Sequence, residues 1–533
     1  MMETEKSSAT ALWGTPIRYK EYHVSEQELD EMRTKIDNLA DDCLLALHEE
    51  RISLESFIVN LKGTAISSYK DRRIRAFAES VLLEPAWLDW EQVRQGQQVF
   101  LKHYGSAALG LLYVSLVGGF AAPKITKVLD ATNYMTKHRD ATWRRLNETF
   151  EMVVDCIDDD DSLSCGNRGF NSVLKVRFLH SRVRLNLLGI MRRPKNLGIS
   201  ESDNDEEGVG MCPFNQGFQS SSQTFDDRHA EDMLNSKSLN CTRSVPSSTD
   251  DVDSAGSTYL KGNKSESTSL NTSIMSDEIE VSTTEDKKCP VVLPAESRNI
   301  CKWDSEQYGE PINQEDMMVT LLSFSVSVLD TIEKTTLGGS LTRADEDAYI
   351  HLWRYIGYLI GVHEDYNPCT DKENACGLME SAVLHLLKPD DRSGELARHL
   401  LMSVANRPPL YFSYEMHSET ARSLLGHELS DALGIVRDFR RSFYVYVMMK
   451  FTTLLSLFSL PSLTPGSARI SRVRRNLRFI VNKALYSKKI IVLKKATETA
   501  SNPFLAFLPG FLLIAAVVVT MLISRSTNSN GGI

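Results

Sequence analysis

The stretch Val173–Leu187, VLKVRFLHSRVRLNL, carries the most information in this 533-residue chain. Its apolar residues recur at the spacing of one helical face, and His180 falls on that same face. Arg177 and Arg184 lie three residues before and four residues after His180, so a helix places both guanidiniums on the histidine's side. The pattern predicts a helix with one imidazole in an apolar face, whose members are Val173, Val176, His180, Val183 and Leu187.

A lone histidine on an apolar helix face has two interpretations. It is most often a core residue whose hydrogen bonds are satisfied. A neutral imidazole is also a good iron ligand, and an apolar face suits a porphyrin. In that case Arg177 and Arg184 could pair with the propionates of a haem. Otherwise the two arginines form ion pairs inside the domain, and spacing alone leaves both interpretations open.

A second polar cluster is the segment Trp143–Thr149, WRRLNET. Arg145 and Thr149 are four residues apart, so they share a helix face. An arginine and a hydroxyl that face one cavity could polarise an oxygenated ligand. Ordinary positions on a helix surface fit the same spacing equally well.

The overall composition excludes several classes of protein. Apolar residues make up 42% of the chain and charged residues 24%, which is the mixture of a globular protein. The 29 glycines and 17 prolines are few for this length and favour helices over a sandwich or barrel. Phosphate-loop, dinucleotide-binding, HExxH and GxSxG motifs are absent. The nine scattered cysteines predict reduced thiols rather than a disulfide framework.

The net charge of −10 arises almost entirely in one segment. Residues 196–299 contain 19 acidic and 8 basic residues, so the rest of the chain is close to neutral. No large domain is strongly basic, and nucleic acid is therefore not an expected partner. The same segment is rich in Ser, Thr and Asp and poor in aromatic residues, which predicts a disordered acidic insertion.

Apolar residues at helical spacing on both sides of the insertion predict an all-α fold. Ser25 followed by Glu28 predicts a capping box at the start of a helical region over 25–60. Thr342, with acidic residues in the next turn, predicts the start of another helix. The similar halves predict a single large helical domain, divided into a tail over 1–24, a first half over 25–195, the insertion over 196–299, a second half over 300–440, and a membrane-proximal region over 441–500 that is first apolar and then basic.

The C-terminal part of the sequence predicts a membrane anchor. Pro503–Ile523 is a run of 21 residues without a charge, which is long enough to cross a bilayer. Upstream, Arg469–Lys495 contains ten basic residues and no acid, so the positive-inside rule keeps the N-terminal domain in the cytosol. The alternative for 503–523 is a buried core helix. Ser442–Leu460 contains Lys450 near its middle and is expected to be a core or interfacial helix, or else a second membrane segment.

Several segments, in this order, resemble the family of ER-bound oxygenases of the MpaB type and the rubber oxygenases, or latex-clearing proteins. The likeness extends over about residues 75–195 and 305–435. The segments are Pro85–Trp87 with Arg94, Gly96 and Gln97; Ser115–Ala121; Arg145–Thr149 as R-x-x-x-T; Val176–Arg184 as VR-x-x-H-x-x-VR; Pro311–Asp316; and His351–Gly357.

The resemblance implies an all-helical fold around haem b. It implies that His180 is the proximal iron ligand and that Arg145 and Thr149 are catalytic residues near the haem pocket. It further implies oxidative cleavage of a lipophilic alkene or isoprenoid with dioxygen. Leu129 and Asp130 stand where rubber oxygenases have a glutamate base, and the acidic insertion has no counterpart.

Two functions are expected on these grounds. The first is a tail-anchored haem-dependent oxygenase, which we expect in the endoplasmic reticulum membrane. The alternative is a non-catalytic tail-anchored protein that senses haem or binds partners.

Overall fold

The computed structural model describes residues 11–132, 135, 138–191, 303–336, 341–407, 411–438, 442, 445–446 and 466–486. The predicted insertion over 196–299 and the predicted membrane span over 503–523 lie outside the described residues. All but three residues of the segment 442–460 also lie outside them.

Helices build the described part of the chain, which confirms the predicted predominance of α structure. The exception there is an antiparallel pair of two-residue strands, Ala11–Leu12 with Thr15–Pro16. The helices are α1 (Glu26–Met32), α2 (Asn38–Glu49), α3 (Leu54–Asn60), α4 (Arg72–Leu82), α5 (Trp90–Lys102), α6 (Tyr104–Leu109), a π-helix (Gly110–Val117), α7 (Pro123–Thr132), α8 (Arg139–Ile157), α9 (Arg168–Leu187), α10 (Ser305–Tyr308), α11 (Gln314–Thr335), α12 (Arg343–Ile360), α13 (Lys372–His385), α14 (Asp391–Val404), α15 (Tyr414–Leu425), α16 (His427–Ala432) and α17 (Gly466–Tyr486).

Side-chain caps set several helix starts. Ser25 and Glu28 form the predicted capping box before α1, and Thr342 forms one with Asp345 before α12. Each such cap contributes about 1 kcal/mol to helix stability. The region 25–60, predicted as continuous helical spacing, is divided into α1, α2 and α3 because Asp37 and Ser53 cap new helices.

The described helices before and after residues 199–300 belong to one compact unit. Helices α5 and α12 approach each other closely where Gly96 faces Ala348. A Cβ atom at Gly96 would lie 2.4 Å from the Ala348 carbonyl oxygen. A side chain at this position would therefore force the two helices apart, so glycine lets both halves share one core.

Helix α9 runs through this core and packs against α2, α3, α7, α8 and α12. Its residues Val173, Leu174 and Phe178 are fully buried. The Phe178 ring lies 4.6 Å from the ring of Phe77 on α4, centroid to centroid. These contacts fix one side of α9 firmly in the protein interior.

A smaller apolar cluster surrounds the π-helix, α14 and α15. Inside it the hydroxyl of Tyr113 and Nδ1 of His417 are 2.6 Å apart, and both side chains are buried. Burial lowers the pKa of His417 to about 4, so this imidazole is neutral. The pair links the π-helix to α15 by a hydrogen bond rather than by a charge.

None of the described helices is by itself long and apolar enough to cross a bilayer. Helix α5 and the following stretch Tyr104–Val117 meet that requirement only as a pair, and they are bent by 84° relative to each other.

Candidate functional site

His180 lies in the middle of α9, and its side chain is half-buried. Its Nδ1 atom is buried and has no hydrogen-bond partner among the residues that the structure describes. Burial, and then the positive charge of Arg184, lower the pKa of His180 to about 4. The ring is therefore neutral at physiological pH, and one of its nitrogens carries a free lone pair.

A buried ring nitrogen without a partner costs about 1–3 kcal/mol. In the described part of the chain, His180 is thus not the satisfied core histidine of the first interpretation. The cost disappears when a ligand or metal engages the nitrogen. This unpartnered atom is the feature that distinguishes His180 from His417, whose Nδ1 is hydrogen bonded.

The two sides of α9 differ in accessibility. Val173, predicted on the same face as His180, belongs to the fully buried side. The other predicted members of the face remain partly accessible, and Leu179 joins them. We call this set the open face of α9; it consists of Val176, Leu179, His180, Val183 and Leu187. A partly accessible apolar face around a neutral imidazole suits an apolar ligand.

Arg177 and Arg184 make ion pairs with the neighbouring helix α2 and its cap. Arg177 donates through Nε to Asp37 Oδ2 at 2.6 Å and through Nη2 to Asp37 Oδ1 at 3.0 Å. Arg184 donates through Nε and Nη2 to the two carboxylate oxygens of Asp41, each at 2.7 Å. All four side chains are buried.

Of the two roles that the sequence left open for Arg177 and Arg184, these contacts correspond to ion pairing inside the domain. Each guanidinium presents its paired edge to a carboxylate, because a buried charge without a counter-ion would be costly. Arg184 also donates to the Ile312 carbonyl oxygen at 2.7 Å. Since both guanidiniums already have counter-ions, we do not propose Arg177 or Arg184 as partners of haem propionates.

The sequence analysis missed Asp37 and Asp41. Burial alone would raise the pKa of Asp37, but the charge and hydrogen bond of Arg177 hold it below the usual value. Asp37 caps α2 and Asp41 lies one turn further on, and this spacing of two acids is the sequence feature that could have identified them. Their pairing with the two arginines of α9 becomes evident only once α2 and α9 are known to pack together.

Helix α8 carries the second predicted cluster. Arg145 forms an ion pair with Glu148 one turn away, and both side chains are partly exposed. Thr149 is exposed. The two residues do share a helix region, as the spacing predicts, but neither is buried.

The α8–α9 hairpin sets the height of these residues relative to His180. At its base, a Cβ at Gly169 would lie 2.9 Å from the Asp155 carbonyl oxygen, and Ser172 donates to Asp155 at 2.7 Å. His180 is twelve residues beyond the start of α9, and Arg145 is twelve residues before the end of α8. Each residue therefore lies about 18 Å from the base of the hairpin along its own helix.

Asp130 on α7 occupies the position where the resemblance predicts a base. Arg392 on α14 binds it with both Nε and Nη2, at 2.9 and 2.6 Å from Oδ1. The carboxylate is thus held in an ion pair between α7 and α14. Leu129 beside it packs against the smaller apolar cluster.

In the described residues no three His, Cys, Asp or Glu side chains come together to hold a metal ion. A haem requires one axial protein ligand at minimum, because the porphyrin supplies the other donors. His180 fits that requirement through its neutral ring, its unpartnered Nδ1 atom and the apolar face around it.

Comparison with known proteins identifies a family to which part of this chain is similar. Residues 295–454 match the family described as ER-bound oxygenase mpaB/B'/Rubber oxygenase, catalytic domain. The match confirms the resemblance for this part of the chain. The match covers α10–α16, whereas α8 and α9, which carry Arg145, Thr149 and His180, lie outside it.

Two individual proteins are similar to this chain. A rubber oxygenase from Streptomyces sp. (strain K30) is 27% identical over 139 residues, which is 26% of this chain and 33% of the relative. The chain thus matches about a third of that relative's length. A solved structure of latex clearing protein LCP in the closed state aligns with 90% of this chain and 95% of its own, at 16% identity and a TM-score of 0.49.

Proposed function

We propose that this protein is a membrane-anchored, haem-dependent oxygenase that acts on a lipophilic alkene or isoprenoid-type substrate. His180 is the proximal iron ligand, and the cofactor is haem b. The carrying observation is the neutral, half-buried imidazole whose buried Nδ1 atom has no partner among the described residues. The match of residues 295–454 to the oxygenase family supports oxygenase chemistry.

The residues around His180 have separate tasks in this proposal. Haem, when bound, supplies the one-electron and dioxygen chemistry that amino-acid side chains lack. Burial, and then the charge of Arg184, keep the His180 ring unprotonated, so its lone pair stays available. The apolar members of the open face exclude water from the ligand.

Arg145 and Thr149 are the proposed catalytic residues. Arg145 is as many residues from the hairpin base along α8 as His180 is along α9, and Thr149 is about one turn closer to the base. A guanidinium and a hydroxyl at these positions donate hydrogen bonds that orient or polarise an oxygenated ligand. Their partial or full exposure leaves them able to approach a bound substrate.

The proposed location is the endoplasmic reticulum membrane, with the helical domain in the cytosol. The uncharged run over 503–523 and the basic flank before it support an anchor of this orientation. A lipophilic substrate partitions into the bilayer, so an anchored enzyme meets it at high local concentration. Dioxygen is the second substrate.

A second function, a non-catalytic haem-sensing or interaction protein with the same anchor, has one observation in its favour. Asp130, at the position where the resemblance predicts a base, is engaged by Arg392 in an ion pair. Turnover of a prenyl substrate separates the two proposals, because a sensor binds haem without product formation.

The test is an absorption spectrum of the full-length, detergent-solubilised protein in the oxidised and reduced states. We expect a Soret band and a haem stoichiometry that fall strongly in His180→Gln, which preserves most of the side-chain volume but ligates iron poorly. His399→Gln is the matched control, because His399 is a partly buried imidazole that hydrogen bonds Thr142. A folded His180→Gln protein with an unchanged Soret band and full haem content would overturn the assignment.

A further inference from the structure

Helix α17 divides its basic residues between two sides. Arg474 donates through Nε to the Ile157 carbonyl oxygen at 3.0 Å and pairs with Asp160 at 2.6 Å. Arg478 pairs with Asp155 at 2.6 Å and with Asp158 at 3.0 Å. These two arginines face inward and fasten α17 to the end of α8.

The inner side of α17 is also apolar. Leu477 and Val481 are buried in the main core, and Ile470 and Val473 pack against it. The position of the helix on the protein is thus set by both apolar contacts and ion pairs. Its opposite side cannot turn inward without breaking them.

The opposite side presents a basic and aromatic surface. Arg472 and Arg475 are exposed and pair with no carboxylate in the described part of the chain. Phe479, four residues beyond Arg475, is 63% exposed. We call this set the outer face of α17; its members are Ser471, Arg472, Arg475, Asn476, Phe479 and Asn482.

We infer that the outer face of α17 binds the headgroups of anionic phospholipids. Guanidiniums form paired hydrogen bonds with phosphate oxygens, and an exposed phenylalanine beside them inserts at the boundary between headgroups and acyl chains. No acidic residue occurs anywhere in 466–495, so nothing in this segment repels an anionic surface.

The sequence after α17 favours a bilayer as the occupant. Sixteen residues separate Tyr486 from the uncharged run Pro503–Ile523. A chain of that length reaches at most about 55 Å, so α17 stays close to any bilayer that holds the run. This step rests on the anchor in the proposed function. The competing occupant is the acidic segment over 196–299 of the same chain.

The test measures how fast phenylglyoxal modifies single arginines of the full-length protein, followed by mass spectrometry. The protein is mixed with vesicles of phosphatidylcholine, or of phosphatidylcholine with phosphatidylserine. We expect Arg472 and Arg475 to react at least about threefold more slowly on the anionic vesicles, and high salt to abolish the difference. Arg72, exposed on α4, is the control and should react equally on both.

Equal rates for Arg472 and Arg475 on the two kinds of vesicle would overturn the inference. So would protection on both that disappears when residues 196–299 are replaced by a short Gly-Ser linker, because the acidic segment would then be the occupant. Flotation of the protein with phosphatidylcholine vesicles reports on the anchor separately. The anchor and the outer face can therefore fail independently.

Discussion

On one face of α9, Arg177 and Arg184 meet Asp37 and Asp41, and every charge is paired. On the adjoining strip of the helix surface, only about 40–60° around the axis, His180 stands among partly accessible apolar residues, and its Nδ1 lacks a partner among the described residues. The ion pairs of Arg177 and Arg184, which define the paired face, hold α9 in position. The open face contains a buried nitrogen atom that a ligand could engage. One helix thus combines a fixed scaffold with a site that is incomplete by itself.

The difference has an electrostatic consequence. Arg184 belongs to the paired face, yet its charge lowers the pKa of His180 on the open face, while Asp37 acts to raise it. Burial is the larger cause of the lowered pKa of His180, and the charge of Arg184 adds to it. Variants on each face separate these contributions.

The largest effect is expected from Arg184→Met. It removes a fully buried guanidinium and leaves the carboxylate of Asp41 buried without a counter-ion, so the free energy of unfolding should fall by about 3–5 kcal/mol. Urea denaturation of the full-length protein measures this. Arg144→Met, which removes an exposed arginine on α8, is the control and should change stability by less than about 0.5 kcal/mol.

The double variant Asp41→Leu with Arg184→Met sharpens the same comparison. Removing both charges should be less destabilising than the sum of the two single changes, since no unpaired buried charge remains. Additive losses would show that Asp41 and Arg184 act independently, which contradicts a buried ion pair between them.

The second effect is a dependence of stability on pH in protein freed of haem. An unfolded histidine binds a proton near pH 6.5, whereas His180 in the folded protein does so only near pH 4. Stability from this residue is therefore full above pH 6.5 and is lost as pH falls toward 4. The loss reaches about 3 kcal/mol at pH 4, at about 1.4 kcal/mol per pH unit.

Comparison with His180→Gln isolates this contribution. His417, with a pKa near 4, and Asp316, whose burial raises its pKa to about 7 and acts in the opposite direction, are present in both proteins. The stability difference between wild type and His180→Gln should shrink as pH falls from neutral to mildly acid values. Parallel pH profiles would mean that His180 titrates normally in the folded state.

A matched pair of valines gives the third effect. Val173→Ala on the fully buried side should cost about 2 kcal/mol, because it removes two buried methyl groups and leaves a cavity. Val183→Ala on the open face should cost less than about 1 kcal/mol, since the side chain is already partly accessible. Thermal unfolding of both variants checks the ratio. Equal losses would show that the open face is packed as tightly as the buried one.

Sequence patterns predicted local features well. The helical periodicity of α9 and the capping boxes at Ser25 and Thr342 depend on residues within one or two turns, and all three are present. The partners of Arg177 and Arg184 could not be predicted, because Asp37 and Asp41 are about 140 residues away in sequence. Long-range pairing is decided by helix packing, which residue spacing does not encode.

The prediction placed Val173 on the same face as His180 but did not predict how deeply each residue of that face is buried. Val173 is fully buried in the core, whereas Leu179, which was not predicted, belongs to the open face. Helical spacing places residues around an axis, but it does not say where the boundary between neighbours and open space falls. The same limit applies to Arg145 and Thr149, whose spacing did not reveal their exposure.

The smallest effect on stability is expected at that second cluster. Thr149 is exposed, and the Arg145–Glu148 pair is partly exposed, so Arg145→Ala and Thr149→Ala should each change the free energy of unfolding by less than about 1 kcal/mol. Haem content should also stay unchanged, because neither residue is proposed to ligate iron. Denaturation and the Soret absorbance measure these two quantities.

Catalytic activity should distinguish Arg145 and Thr149 from ordinary residues on a helix surface. Loss of a hydrogen-bond donor that polarises an oxygenated ligand lowers the rate by at least about tenfold, so each variant should lose that much activity on a lipophilic alkene. Arg144→Ala, one position away and exposed, is the control and should keep full activity. If both variants retain full turnover with full haem content, the cluster is only polar helix surface. Substrate and dioxygen would then be handled by the open face of α9 alone.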